Sequence, residues 1–151
     1  MKTSFSKNQS TSSQKAVSGT ANTQIQGLYP FIGTVKVFSI KQNVVHVQAE
    51  EVISPTASRT LELEFESDIG NGEHDFVEGG KVKNVSFIET YDGTSTRYSA
   101  VSGTGYVEFE FSLSDGTLEA KFVLAVQESP TEPQREATGA FEEVSGLEHV
   151  K

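Results

Sequence analysis

A short loop rich in oxygen atoms is the first place where this chain could do chemistry. Asp68, Asn71, Glu73 and Asp75 supply four hard oxygen ligands within eight residues, and the glycines between them let a backbone fold around an ion. These ligands suit calcium, although their spacing differs from that of an EF-hand. A solvated loop is the alternative, because Gly, Asn and Asp are ordinary turn residues. The four residues are therefore a candidate calcium site.

A second candidate site combines one carboxylate with two phenols. Glu89 has the same alternation as Val85 and Phe87, so it is expected on the core-facing side of its strand. Near a hairpin end it would lie at the mouth of a barrel with Tyr91 and Tyr98, where a partly buried carboxylate can bind a ligand or transfer a proton. The alternative is that the hairpin extends past the core and Glu89 is simply hydrated.

The remaining sequence lacks the common signatures of catalysis. It contains no Cys, which excludes disulfides, thiolate metal sites and cysteine nucleophiles. It has no phosphate-binding loop, no dinucleotide-binding glycine pattern and no Gly-x-Ser-x-Gly elbow. The three histidines lie in separate segments without the spacing of metal ligands. We therefore expect a protein that is not an enzyme and that uses no cofactor apart from the calcium considered above.

The pattern of apolar residues predicts the elements that must position these groups. From about Gln26 onward, Val, Ile, Phe, Tyr and Thr alternate with polar residues between turns of Gly, Asp and Asn. Leu61, Leu63 and Phe65 form one inward row of this kind, with glutamates between them. No amphipathic helix is visible. The sequence predicts an all-β fold, an antiparallel meander of seven or eight strands that is closed as a barrel or folded as a sandwich.

One turn predicts a particular strand register. Asp115-Gly116 is a strong signal for a two-residue hairpin turn, since both central residues of such a turn have positive φ. That turn would pair Phe109 with Phe122 in the core. On the outer face it would pair Glu110 with Lys121, two opposite charges. The apolar pattern, the turn and the charges agree on this hairpin.

Two further hairpins are predicted from similar signals. Asp92-Gly93 predicts a two-residue turn that pairs Phe87 with Tyr98. A third pair of strands is expected across Lys41-Gln42-Asn43, with its register left open. Successive tight hairpins of this kind are typical of a meander in which neighbouring strands are consecutive in sequence.

Charge is distributed unevenly along the chain. Residues 1–49 contain five lysines and no acidic residue, whereas residues 50–151 contain seven basic and all 21 acidic residues, a formal charge of −14. Such a body repels phosphate backbones and anionic lipid. We therefore expect neither nucleic acid as a partner nor insertion into a membrane. The same acids also serve to keep a β-rich domain soluble.

The first residues differ in composition from the rest. Residues 1–24 are rich in Ser, Thr, Gln and Asn, and they lack the apolar core of a secretory signal peptide. Such a segment buries too little apolar surface to offset its ordering entropy. We predict a disordered tail over residues 1–24 and a single all-β domain over residues 25–151. Without a secretory signal, the protein is expected in the cytoplasm or exported by a non-classical route.

Two stretches resemble known β-proteins. The segment from Tyr98 to Gly105, the alternating strands on either side of Asp115-Gly116 and Gly139-Ala140-Phe141 together resemble small bacterial all-β domains of uncharacterised function, which are often exported. The stretch Gly139 to Gly146 is similar to the Gly-x-Phe-x-x-Ala-Thr-Gly turn of allene-oxide-cyclase and dirigent-type barrels. Both resemblances imply an all-β fold, and neither transfers a catalytic residue.

Three functions remain open at this point. The first is a non-catalytic binding or interaction domain, whose partner is an unidentified protein or small molecule. The second is a small-ligand-binding or isomerase-like β-barrel that uses Glu89, Tyr91 and Tyr98. The third is a secreted bacterial effector with its signal in the N-terminal segment. The absence of a catalytic motif favours the first.

Overall fold

The computed structural model describes residues 16–151, and residues 1–15 lie outside it. The described chain is all-β. Its eleven strands are β1 (Ser18–Ile25), β2 (Phe31–Lys41), β3 (Val44–Ser54), β4 (Ala57–Glu66), β5 (Gly72–Asp75), β6 (Val82–Tyr91), β7 (Thr94–Ala100), β8 (Tyr106–Ser112), β9 (Thr117–Gln127), β10 (Arg135–Ser145) and β11 (Glu148–His149). No helix of this region is long and apolar enough to cross a membrane.

Eight of the strands close into an antiparallel barrel. Their order around the barrel is β1-β2-β3-β4-β6-β7-β9-β10, and β10 pairs back onto β1. The structure therefore confirms the predicted all-β meander and selects the barrel over the sandwich. The eight strands of the barrel agree with the predicted seven or eight. The predicted strand before Asp115-Gly116 is β8, which pairs with β9 outside this closed order, and β5 and β11 were not predicted.

The three additional strands extend the wall. β7 and β8 pair with successive parts of β9: Ala100 lies opposite Val126, and Tyr106 lies opposite Val123. β5 adds to the free edge of β8. β11 pairs with the end of β2 and is parallel to it. This completes the wall at the end of the barrel where β2 and β3 meet.

Alternation along each strand fills the interior with side chains. Leu61, Leu63 and Phe65 point inward and are fully buried, as predicted from the sequence. Aromatic rings pack against one another inside, with 4.7 Å between the ring centres of Phe65 and Phe109. The interior is a packed core that includes seven buried phenylalanines: Phe31, Phe38, Phe65, Phe87, Phe109, Phe122 and Phe141.

The hairpin at Asp92-Gly93 has the predicted register. Both residues have positive φ, +52° and +81°, as a two-residue turn of this hand requires. Phe87 lies opposite Tyr98, as expected. The turn between β2 and β3 is built in the same way from Gln42 and Asn43, which also have positive φ.

The register predicted for the hairpin at Asp115-Gly116 is wrong by two residues. In the structure Phe109 lies opposite Ala120, and Phe122 lies opposite Val107. Only Gly116 of this dipeptide has positive φ, and residues 113–116 form a four-residue loop in place of the two-residue turn. A shift of two residues preserves which side chains face inward, because side chains alternate with a period of two.

The same shift changes the charge pairs on the outer face. Lys121 lies opposite Glu108 and not opposite Glu110. Glu110 lies opposite Glu119, so the predicted pair of opposite charges is replaced there by two like charges. The backbone N–H of Glu143 donates a hydrogen bond to Glu119 at 2.8 Å, which gives that carboxylate a partner on β10.

The predicted tail boundary is also wrong. Ser18–Gln24 belong to β1, which lies between β10 and β2 and closes the barrel. Its inward side chains are Ala21, Thr23 and Ile25, and Thr23 satisfies its hydroxyl by donating to the carbonyl of Thr138 at 2.6 Å. Composition alone therefore failed to show that Ala21 and Thr23 are buried. Val17, just before β1, packs against the core, and residues 1–15 of the predicted tail lie outside the described residues.

Removal of β1 tests this correction directly. Deletion of residues 1–24 leaves the edges of β10 and β2 unpaired and uncovers the core, so the cooperative thermal transition followed by circular dichroism should be lost. Deletion of residues 1–15 is the matched control, because it leaves every described strand intact. Equal melting temperatures for the two deletions would contradict a closing role for β1.

Candidate functional site

Four connections converge at one end of the barrel, which we call the mouth. The strands run alternately up and down, so every second connection lies at this end. The mouth is formed by the β1–β2, β3–β4, β6–β7 and β9–β10 connections, which are residues 26–30, 55–56, 92–93 and 128–134. Loops at one end of a rigid barrel are a common location for binding groups.

The last inward-facing layer below these loops is polar. Arg59 on β4 lies opposite Glu51 on β3 and opposite Glu89 on β6, and Glu89 lies opposite Thr96 on β7. The next layer down is apolar and contains Phe87. Four neighbouring strands thus place a row of carboxylate, guanidinium, carboxylate and hydroxyl groups above the core.

Arg59 is the centre of this row and is only 5% exposed. Its Nε donates to Oε1 of Glu51 at 3.0 Å, and its Nη2 also donates to that oxygen. Nη1 donates to the carbonyl of Tyr29 at 2.9 Å, and Nη2 donates to the carbonyl of Pro30 at 2.8 Å. A buried guanidinium needs such partners, since an unpaired one would lose its hydration without compensation.

Aromatic rings complete the surroundings of Arg59. Its guanidinium carbon lies 5.9 Å from the ring centre of Phe31 and 5.9 Å from that of Phe87. Cations are attracted to the faces of aromatic rings at this range. The charge is therefore held between the apolar layer and the loop above it.

Residues 26–30, which we call the strap, lie across the mouth and are fastened at both ends. Arg59 bonds the carbonyls at Tyr29 and Pro30, and Nη1 of Arg135 donates to the carbonyl of Gln26 at 3.0 Å. Between these points Leu28 packs against the core. Two cationic side chains thus fix the backbone that carries Tyr29.

The predicted ligand-binding residues share one end of the barrel but not one environment. Tyr98 is buried. Glu89 is on the neighbouring strand and is partly buried; it lies opposite Thr96, two residues nearer the mouth than Tyr98 on the same inner face. Tyr91 lies at the end of β6 and is largely exposed. The structure therefore brings Glu89 and Tyr98 together and leaves Tyr91 outside, on the edge of the mouth.

The phenol of Tyr98 has a perturbed acidity. Burial raises the pKa of Tyr98 above its ordinary value, and the negative charges of Glu89 and Glu128 raise it further. Arg135 lies 5.8 Å from the ring centre and opposes this effect. A phenol is already neutral at physiological pH, and this shift extends the neutral form of Tyr98 to more alkaline pH.

The four residues of the candidate calcium site have separate roles. Asp68 forms a salt bridge with Lys81 at 2.8 Å, and this hydrogen bond lowers the pKa of Asp68. The side-chain oxygen of Asn71 accepts the backbone N–H of Phe111 at 2.9 Å. Glu73 and Asp75 are exposed on β5. Within residues 16–151, no three His, Asp or Glu side chains converge as a metal site requires.

Arg59 was missed from the sequence, although a signal for it exists. It precedes Leu61 by two residues and so has the inward alternation of Leu61, Leu63 and Phe65. A charged residue at an inward position near a strand end is expected to be paired. Extending the apolar row by one step would have identified it.

Exposed apolar side chains are concentrated at the mouth. Tyr29 is 86% exposed, although its backbone is fixed by Arg59. Five of the nine large hydrophobic residues that are exposed in the described chain lie at this end, and we call them the rim: Tyr29, Ile32, Val52, Ile53 and Tyr91. Single exposed apolar residues are ordinary, but a group at one end indicates an interaction surface.

Comparison with protein-family models, curated proteins and solved structures finds no match for this chain. A closed β-barrel is an architecture that serves many unrelated functions. The fold alone therefore assigns no function to this protein.

Replacing Arg59 should destabilise the protein strongly. Arg59→Met leaves Glu51 and two main-chain carbonyls without their donor, so we expect a loss of about 3 kcal/mol in the free energy of unfolding, measured with urea. Arg97→Met is the control, since the guanidinium of Arg97 is solvent-exposed where it pairs with Glu62, and its loss should cost less than about 1 kcal/mol. Similar losses for both variants would contradict the structural role of Arg59.

Tyr98 should make the protein sensitive to alkaline pH. Its folded pKa is above the unfolded value of about 10, so the stability present below that pH is lost as the pH rises toward the folded pKa. Tyr98→Phe removes the ionisation, and its melting temperature should fall less between pH 9 and 11 than that of the starting protein. Tyr91→Phe, at an exposed position, should leave the pH profile unchanged; an equal change in both would exclude Tyr98 as the cause.

Proposed function

We propose that this protein is a non-catalytic binding domain that recognises a protein partner through the rim of its barrel mouth. The observation that carries this proposal is the position of the apolar residues. The interior is packed, while Tyr29, Ile32, Val52, Ile53 and Tyr91 are exposed together at one end. Buried apolar side chains stabilise the fold, and exposed ones gain free energy only when a partner covers them.

The strap supports this proposal because it limits the entropy lost on binding. Tyr29 is the most exposed of the rim residues, and its carbonyl and that of Pro30 are bonded to Arg59. A backbone that is already fixed loses less freedom when a partner binds. Tyrosine is also one of the residues that contribute most often to binding energy at interfaces.

A small-ligand-binding or isomerase-like barrel is the second candidate. One observation favours it: Glu89 and the neutral phenol of Tyr98 lie on the same inner face just below the mouth. A ligand that entered the mouth would meet a carboxylate and a phenol, which can bind it or exchange protons with it. The packed layer of Phe31 and Phe87, which lies beneath Glu89 and level with Tyr98, weighs against this function.

Mapping by NMR distinguishes the two candidates. The protein is titrated with p-cresol and isobutanol, which imitate the side chains of tyrosine and leucine, and backbone amide shifts are recorded. A binding rim predicts shift changes at residues 29–32, 52–54 and 91. Changes centred on Glu89, Thr96 and Tyr98 would instead support the small-ligand barrel.

A pair of variants makes the mapping specific. Val52→Ser combined with Ile53→Ser removes two rim residues and should abolish the shift changes. Val123→Ser is the matched control, because Val123 lies on the outer wall of β9 and is 45% exposed, against 51% for Ile53. If shift changes were as strong around Val123 as at the rim, apolar probes would not select the mouth and the proposal would fail.

A further inference from the structure

The mouth is acidic where it meets solvent. Asp92, Glu128 and Glu132 are exposed in its connections, and the half-buried Glu51 and Glu89 lie just below. None of the lysines in the described chain lies in a mouth connection; they are Lys36, Lys41, Lys81, Lys83, Lys121 and Lys151. Partners approaching this end therefore meet negative charge around an apolar rim.

The arginines at this end do not cancel that charge for a partner. Arg59 is buried and donates to Glu51 and to the carbonyls of the strap. Arg135 is partly buried, bonds the carbonyl of Gln26 and lies over the ring of Tyr98. Both guanidinium groups face their own chain, whereas Asp92, Glu128 and Glu132 face outward.

The rim part of β3 is paired along one side. Its pairing with β4 continues to Ser54, whereas its pairing with β2 ends at Glu50. Residues 51–54 are a short stretch, so recognition at this surface relies mainly on side chains.

We infer that the rim takes a basic protein segment that carries apolar side chains. Its apolar side chains pack on the rim, of which Tyr29 and Ile53 are examples, and its lysine or arginine side chains lie over the acidic groups of the mouth connections. Opposite charge accelerates encounter and selects among partners, while the apolar contacts supply most of the affinity. This inference rests on the proposed function and adds the chemistry of the partner.

Three synthetic peptides separate charge from apolar contact. GKFGKLGKFG carries lysines and apolar residues, GEFGELGEFG carries the opposite charge, and GKSGKSGKSG carries lysines without apolar residues. Each is labelled with fluorescein, and binding is measured by anisotropy with the full chain. We expect the first peptide to bind at least about tenfold more tightly than either of the others in 50 mM NaCl. Its affinity should fall severalfold in 300 mM NaCl, because exposed charges are screened.

Variants of the protein locate the binding. Val52→Ser combined with Ile53→Ser should weaken the first peptide about tenfold, and Val123→Ser should leave it unchanged. Asp92→Asn combined with Glu132→Gln should weaken it and reduce its salt dependence. Glu148→Gln is the matched charge control, since Glu148 is exposed on β11, away from the mouth. Melting temperatures close to that of the starting protein show that the rim and charge variants are folded.

The possible results test the basic partner separately from the proposed binding function of the rim. Equal binding of the lysine and glutamate peptides, lost in the Val52/Ile53 variant, would overturn the basic partner and leave the binding rim standing. Binding of GKSGKSGKSG as tight as that of GKFGKLGKFG would show attraction by charge alone and would overturn the inference. No binding by any peptide, together with no shift changes at the rim in the NMR titration, would overturn both.

Discussion

Closure of the sheet is the constraint on which the rest of this structure depends. An open sheet of eight strands would leave two edges of unpaired main-chain groups, and pairing β10 with β1 removes both. β1 achieves this with few apolar side chains. Gly139 of β10 allows the close approach, because a Cβ atom there would lie 2.6 Å from the carbonyl oxygen of Asn22. Backbone pairing along both edges, together with the burial of Ala21 and Ile25, holds the closing strand.

Closure also determines what happens at the mouth. Inward positions continue to the strand ends, but the packed core ends at the layer of Phe31 and Phe87. The next inward positions face neither core nor open water, and Glu51, Arg59 and Glu89 occupy them. Charges placed there need partners, and the carbonyls of the strap provide two. The geometry of the barrel thus leads to a fixed loop that presents an exposed tyrosine.

The sequence correctly predicted features that depend on neighbouring residues. Its predictions were wrong where pairing between strands distant in sequence determines the structure. The turn at Asp92-Gly93 requires positive φ at both residues, and this local requirement determined its register correctly. At Asp115-Gly116 the same dipeptide is part of a longer loop. β9 pairs with β8 along one edge and with β10 along the other, so the turn alone does not determine its register. Most of β1 was missed because Ala21 and Thr23, two of its three buried residues, resemble the composition of a tail.

The candidate site was likewise predicted only in part. Inward alternation indicated that Glu89 shares a face with Phe87, and this is where the structure places it. The alternation could not indicate that Tyr91, with the same parity, lies beyond the core, because the height of the packed layer depends on all eight strands. Nor could it indicate that the carbonyls of Tyr29 and Pro30 bond to Arg59, which is 30 and 29 residues away. Contacts of this kind depend on the closed barrel.

The position of Arg59 is best explained by what it fixes and not by the stability it adds. Removing Arg59 alone is costly because its partners are left without a donor, but replacing both members of a buried ion pair with apolar residues of similar volume often costs little stability, so the pair is a weak reason for keeping a charge inside. A guanidinium differs from an apolar side chain in having several donors in a fixed plane. Here those donors hold Glu51 and two consecutive carbonyls at once. Arg59 therefore sets the position of the strap, which carries the exposed Tyr29.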